Sequence, residues 1–459
     1  MFNMKPDLLN VTASELQRLL TDGRITSLDL VRQYHNQIFK HNDRLKAMIS
    51  ISPLPHLEMI AVKLDDERRR GVVRSALHGI PFIVKDAMDT SSEFQLESTN
   101  GGWAFVGSQP RETARVVRMT VDAGMILMGK ANLSQFGNWK ASGMSGGWSA
   151  RGGQTQSAYV RGGVVNDGIY GHSNPSGSST GSAVAVSAGF APVSIGADFN
   201  GSLTNPATRA ALFTIRTTPG IVSEHGAFPF SKNRDSVGPM AKSVEDLVGL
   251  LNVVVDLSHS EVPDRGYNTS LSRDWKDISF GTLNPSHWRL PEAVQKPQPG
   301  ALDQIIRETL AAYKKISTLA KLVVGLVSLV SDETLDESMN DVLATIKNDF
   351  STLFEAYTNG LVTPKVKTLA ELINFNETNR DIELPDYSPR QDKLTQSLED
   401  ANSLTDAEYH RLDVKATASA ADDAIDKMLR EHNVNVIIGP ADSRLPDVVA
   451  LASRYCRVC

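Results

Sequence analysis

Cysteine is almost missing from this 459-residue chain. The two present, Cys456 and Cys459, form a C-x-x-C at its end, a spacing used by redox pairs and by one half of a zinc site. With no second pair and no helix after it, the motif reads as structural, and disulfides are excluded as the source of stability. A basic block is also missing: 47 Lys and Arg against 53 Asp and Glu give a net charge of −6, which points away from nucleic acid as a partner. No apolar run approaches the length of an integral membrane segment, and the opening MFNMKPDLLNVTASEL lacks the apolar core of a secretion signal. The expected compartment is therefore cytoplasmic, and the Asn-x-Ser/Thr sites at Asn10, Asn132, Asn268 and Asn376 carry no weight. The ten histidines are scattered without metal-ligand spacing.

What remains is an ordinary soluble composition, with 41% hydrophobic and 22% charged residues, in a chain long enough for two domains or one large α/β domain with an insertion. Its most informative stretch is 174–207, NPSGSSTGSAVAVSAGFAPVSIGADFNGSLTNPA. Glycine and serine concentrate at 177–182 and again at 201–202. Between them, the uncharged small residues of 182–189 predict a tightly packed helix and 193–197 a buried strand, placing two serine-bearing turns at opposite ends of one buried hairpin. Glycine in such turns leaves backbone N–H groups facing an anion or oxyanion, so an adjacent serine finds nucleophile and oxyanion donors together. A base is lacking locally. Gly177-Ser-Ser-Thr-Gly181 also fits the loose G-x-S-x-G elbow, with Ser179 as nucleophile and a distant Asp and His to complete it. No lysine follows the second glycine, so it is not a phosphate loop. Viewed alone, either cluster reads by default as a structural turn.

Elsewhere the chain supplies a candidate base. Capping boxes at Thr12/Glu15 and Thr26/Asp29 open an amphipathic helix pair, with a third helix over 57–70, so 1–70 is a helical cover. Next, in HGIPFIVKDAMDT, the apolar run 80–84 predicts a buried strand that delivers Lys85 to its end. A lysine there is ordinarily solvated. Burial instead would lower its pKa from about 10.4 toward neutrality and make it a base, opposed by Asp86 unless alternation along the strand turns that carboxylate away. A glycine-rich loop follows at 141–173. Then come strand, turn and strand over 209–231, a helix from Ser243, loops over 256–300, helices over 302–430 and a strand at 434–438.

Taken together, HGIPFIVKD with Lys85, SNPSGSSTGSAVAVSAGFAP with Ser178 and GADFNGSLTNPATRAA with Ser202 resemble the amidase signature family of hydrolases. The two serines stand 24 residues apart, as that family has them. GKANLSQFG, SVGPMAKSVEDL and NVIIGPAD look like its flanking segments, so the likeness covers most of 10–440. It implies one α/β/α sandwich domain around a large, mixed, twisted sheet, divided into the cover 1–70, a catalytic core 78–255, a variable helical and substrate-facing region 256–430, and a core strand with the chain end over 431–459. It implies no metal and no cofactor.

The implied activity is hydrolysis of a small-molecule carboxylic amide at a non-peptide C–N bond. Ser202 attacks, Ser178, in the position of the family's cis-peptide serine, relays the proton, and neutral Lys85 is the base. Backbone N–H groups of Phe199, Asn200, Gly201 and Ser202 hold the oxyanion, with Ser179, Ser182 and Asp198 behind them. Specificity is expected from 141–173 and from the region after 256, and nothing indicates a homo-oligomer. Three departures stand out. Asn200 occupies a frequent glycine position. Thr204 replaces the usual Arg two residues after the nucleophile, leaving Asp198 in need of another partner. The chain stops at SRYCRVC, where the family continues through a further core strand, so the fold is expected to be short of its C-terminal core segment. Two other readings follow: a weak or inactive amidase-fold protein that binds a ligand or partner, and a Ser-His-Asp esterase using Ser179.

Overall fold

Thr12 and Thr26 each accept a hydrogen bond from the backbone of the third helical residue, while Glu15 and Asp29 reach back to the caps, so the helices Ala13–Thr21 and Ser27–Leu45 begin where their boxes predict. The computed structural model describes residues 5–165, 167–256, 262–263, 265–453 and 457–458. Cys456, Cys459 and their motif lie outside the described residues. Twelve strands are found among the described residues: β1 Met48–Ile51, β2 Pro81–Lys85, β3 Ile126–Ala131, β4 Trp148–Ser149, β5 Gly153–Gln154, β6 Val193–Asp198, β7 Phe213–Arg216, β8 Ser236–Ala241, β9 Ser279–Leu283, β10 Leu322–Val327, β11 Val436–Ile438 and β12 Arg457–Val458.

Seven of them form a mixed sheet in the order β1-β3-β2-β6-β8-β7-β12, and three more the parallel sheet β10-β9-β11. In the large sheet β2 runs parallel to both β3 and β6, whereas β6 to β8 and β8 to β7 are antiparallel. Every residue of β2 and of β8 is buried, the pattern of strands covered on both faces. The outer side of β7 pairs with β12 at Ile215 and Arg216. Over 209–231 only one strand forms. The second β-segment is β8, in SVGPMA, and pairing with β7 reaches only Met240 and Ala241, so that ladder ends before Pro239. β9 and β10 lie in stretches that read as loop and helix.

The helix Thr180–Ser187 is buried throughout. Its small residues are required by close approach: a Cβ on Gly181 would stand 2.3 Å from Ala47 O and 2.4 Å from Asn132 O. Apolar side chains gather in one cluster around the large sheet and the N-terminal helices and another around the helix Asp332–Asn359, including Phe105, Phe136 and Trp139. Buried polar ties fasten the helical region to residues of 89–140. Glu383 accepts from Trp103 N at 2.6 Å, Gln135 Nε2 at 2.8 Å and Lys140 Nζ at 2.9 Å, while Tyr357 donates to Asp89 at 2.9 Å. No helix among the described residues is long and apolar enough to cross a membrane.

Candidate active site

β2 ends at Lys85, which is 2% exposed, and its Nζ stands 2.7 Å from Ser178 Oγ and 3.1 Å from Ala197 O. Burial pulls this amine from its ordinary 10.5 down to about 7, against Asp198 and Asp235, which favour its charged form. Asp86 does not share that role. Alternation along the chain sends its carboxylate the other way, where it accepts from Thr99 N at 3.2 Å and Gly101 N at 3.3 Å.

The helix Thr180–Ser187 runs out and β6 runs back beside it. The two serine turns therefore meet at one end of the hairpin instead of lying apart, and Ser179 N donates to Ser202 O at 3.0 Å. The Gly177–Ser178 peptide is cis. Lys85, Ser178 and Ser202 line a common cleft. Ser179 is buried and engaged in both directions, donating to Ala197 O at 2.9 Å and accepting from Ala197 N at 3.2 Å. No histidine lines the cleft among the described residues. Ser182 Oγ donates to Ile195 O at 3.2 Å, and Ser194 Oγ to Ser182 O at 2.9 Å, which fastens helix to strand.

Asp198 organises the second turn by accepting from Gly201 N at 3.0 Å and Leu203 N at 2.5 Å. Gly201 takes φ +82°, and a Cβ there would stand 2.6 Å from Asn205 Nδ2, so glycine is required. Its N–H is thus occupied by Asp198, a difference from the expected oxyanion set. The N–H groups of Phe199, Asn200 and Ser202 have no protein acceptor among the described residues. Asn200 needs no positive φ, and its Nδ2 donates to Asp447 Oδ1 at 2.8 Å. The partner that Thr204 does not supply comes from β7: Arg216 Nε lies 3.3 Å from Asp198 Oδ1. A buried strand arginine and an acid without a partner were both visible in the sequence, but the fold alone brings them together. Arg209 was missed as well. It donates to Tyr170 O, Gly171 O, Asn174 O and Asp442 at 2.7–2.8 Å, tying the glycine-rich loop to the helix after Ser202.

Residues 29–446 match the amidase family. The chain belongs to that family. Two proteins named "Putative amidase" are similar to it. The one from Schizosaccharomyces pombe is 27% identical over 85% of this chain and 68% of its own length. The one from Arthroderma benhamiae is 33% identical over 54% of this chain and 43% of its own. Among solved structures, native peptide amidase from Stenotrophomonas maltophilia superposes with a TM-score of 0.84 at 28% identity, covering 98% of this chain and 89% of that one.

In this amidase-family chain the cleft walls are aromatic. Phe136, Phe199, Phe228 and Phe230 line it, with ring centroids 5.8 Å apart for Phe136–Phe228 and 4.8 Å for Phe199–Phe230. All the lining residues fall between Lys85 and Val237. No residue of 141–173 or 256–430 is among them. The helix Asp332–Asn359 presses Phe350, Phe354 and Tyr357 against Phe228, 5.0–6.4 Å between centroids, and so supports the wall without entering the cleft. Two carboxyls missed by sequence reasoning also line it. Asp235 accepts from Phe230 N at 2.7 Å and Ser231 N at 3.0 Å, and burial raises it to about 6. Glu224 is raised to about 7 by burial and by Asp235, and its Oε1 is buried without a hydrogen-bond partner among the described residues.

Proposed function

We propose that this chain hydrolyses the C–N bond of a linear carboxamide outside the peptide backbone through an acyl-enzyme on Ser202. The Ser202 hydroxyl proton passes to Ser178 Oγ as the Ser178 proton passes to Lys85 Nζ, and the freed oxygen bonds to the amide carbon. The N–H groups of Phe199, Asn200 and Ser202 stabilise the oxyanion. The C–N bond then breaks as the proton returns through Ser178 to the leaving amine, and water releases the acid and restores Ser202. What carries this reading is a buried amine, its pKa lowered to about 7, standing 2.7 Å from the relay hydroxyl in the cleft that Ser202 lines. The similarity to a peptide amidase favours an amide of a peptide or an amino acid as the substrate.

The esterase alternative is disfavoured because both hydrogen-bonding directions of Ser179 Oγ are taken by the Ala197 backbone. The idle-binder alternative rested on Thr204 and on the chain end, and Arg216 answers the first by supplying the charge that Thr204 lacks. Intact-mass analysis over a panel of primary amides, anilides and esters tests the proposal. An acyl adduct that maps to Ser202 and disappears in Ser202→Ala supports it. Turnover persisting in Ser202→Ala overturns it.

A further inference from the structure

The ionisable side chains lining the cleft are Lys85, Asp198, Glu224 and Asp235. Three of them are committed. Lys85 meets Ser178 and Ala197, Asp198 meets Gly201, Leu203 and Arg216, and Asp235 meets Phe230 and Ser231. Glu224 is the least committed: the Gly220 backbone N–H and the charge of Arg216 act on its carboxylate, but its Oε1 is buried without a hydrogen bond. A carboxyl oxygen without a donor is costly to bury, and a cleft entered by a molecule bearing a donor removes that cost. Glu224 shares the loop between β7 and β8 with Phe228 and Phe230, and all three residues line the cleft.

We propose that Glu224 is a specificity-determining residue that receives the α-ammonium group of the substrate's acyl half, while the side chain on the same carbon packs among Phe136, Phe199, Phe228 and Phe230. This deepens the amidase reading and rests on it. The substrate class is then the carboxamide of an apolar or aromatic α-amino acid. Charge favours ammonium over a neutral donor. Lys85 must be uncharged to act, and the single charge of Arg216 is shared among Asp198, Glu224 and Asp235, so the cleft keeps an excess of acid that a cation neutralises. A positive charge bound there also disfavours protonation of Lys85, which keeps the base in its working form.

The test compares kcat/KM for phenylalaninamide, 3-phenylpropanamide and N-acetylphenylalaninamide in the wild type, Glu224→Gln, Glu224→Leu and Ser202→Ala. The wild type should prefer phenylalaninamide over its des-amino analogue by about tenfold or more. Both Glu224 variants should bring that ratio toward one, chiefly by raising KM for phenylalaninamide. N-acetylphenylalaninamide should behave like the des-amino compound. A wild-type ratio near one, which no misfolded variant can cause, overturns the proposal. So does an unchanged ratio in both variants, or a preference for the acetylated amide. So too does the absence of turnover on all three amides while a fluorophosphonate still labels Ser202. Turnover persisting in Ser202→Ala, or a Ser202 that neither turns over nor labels, overturns the amidase reading itself.

Discussion

Arg216 Nε lies 3.3 Å from Asp198 Oδ1, with both side chains buried and β8 between the strands that carry them. Asp198 in turn fixes Gly201 and Leu203, so the pair positions the turn on which Ser202 sits. Arg216→Met leaves a buried carboxylate without its cation and should cost about 3–5 kcal/mol in urea unfolding, with a fall in kcat. Asp198→Asn in the same chain should recover part of the stability but not the activity. Additive losses in the double variant would rule out the pairing as the cause.

A lysine can act as a base only when deprotonated, and the Lys85 amine is lowered to about 7. The kcat/KM should therefore rise with pH through about 7 and level off above it. A profile that is flat or falls across that range would exclude lysine as the base.

The same shift sets a stability test. The folded pKa of Lys85 lies below its ordinary 10.5, so the unfolded chain binds the extra proton between these values and stability drops as pH falls through that window. Lys85→Met should abolish turnover and stabilise the fold more at about pH 6 than at about pH 10. Thermal melts of the two proteins at both pH values check the difference. An equal effect at both would mean that this amine is not held neutral.

The serines should separate by role. Ser202→Ala should prevent acylation, and Ser178→Ala should lower kcat by about 10²–10⁴ while leaving Ser202 in place. Ser179→Ala removes two buried bonds to Ala197 and should cost about 1–3 kcal/mol of stability, with fluorophosphonate labelling of Ser202 retained. Labelling lost in Ser179→Ala alone would favour the esterase arrangement.

Glu383 ties the helical region to the rest of the chain through Trp103, Gln135 and Lys140, with no side-chain exposure at Lys140 or Glu383. Glu383→Ala leaves a buried ammonium without its acid and should lower stability by about 3–5 kcal/mol, read from chemical unfolding. A loss under about 1 kcal/mol would show that water or a rearrangement satisfies Lys140.

Local chemistry was legible in advance. The caps at Thr12 and Thr26 act over three residues, and the run before Lys85 is apolar without interruption, so each element announced itself. The motifs around Ser178 and Ser202 likewise led to one cleft, although the two turns meet side by side because β6 doubles back. What escaped were relations set by strand order. Arg216 reaches Asp198 across β8, a strand concealed by Pro239. Strands β9 and β10 carry no alternation that separates them from loop or helix. The helical region carries no pocket signature in its sequence, and its rings pack behind Phe228. Glu224 gave no signal at all, because an unpaired oxygen is a property of the packed site and not of a motif.

Asn200 Nδ2 is held at 2.8 Å by Asp447, in the helix Leu445–Ala452, and Arg444 at the start of that helix reaches Asp332 at 3.2 Å and Asp336 at 2.6 Å. A side chain in the turn that carries Ser202 thus hangs from a short, late segment rather than from the sheet. Fraying of that segment would silence the enzyme while the strands are still intact. Inactivation should then run ahead of melting, so that a heated sample loses turnover before it loses its far-ultraviolet signal.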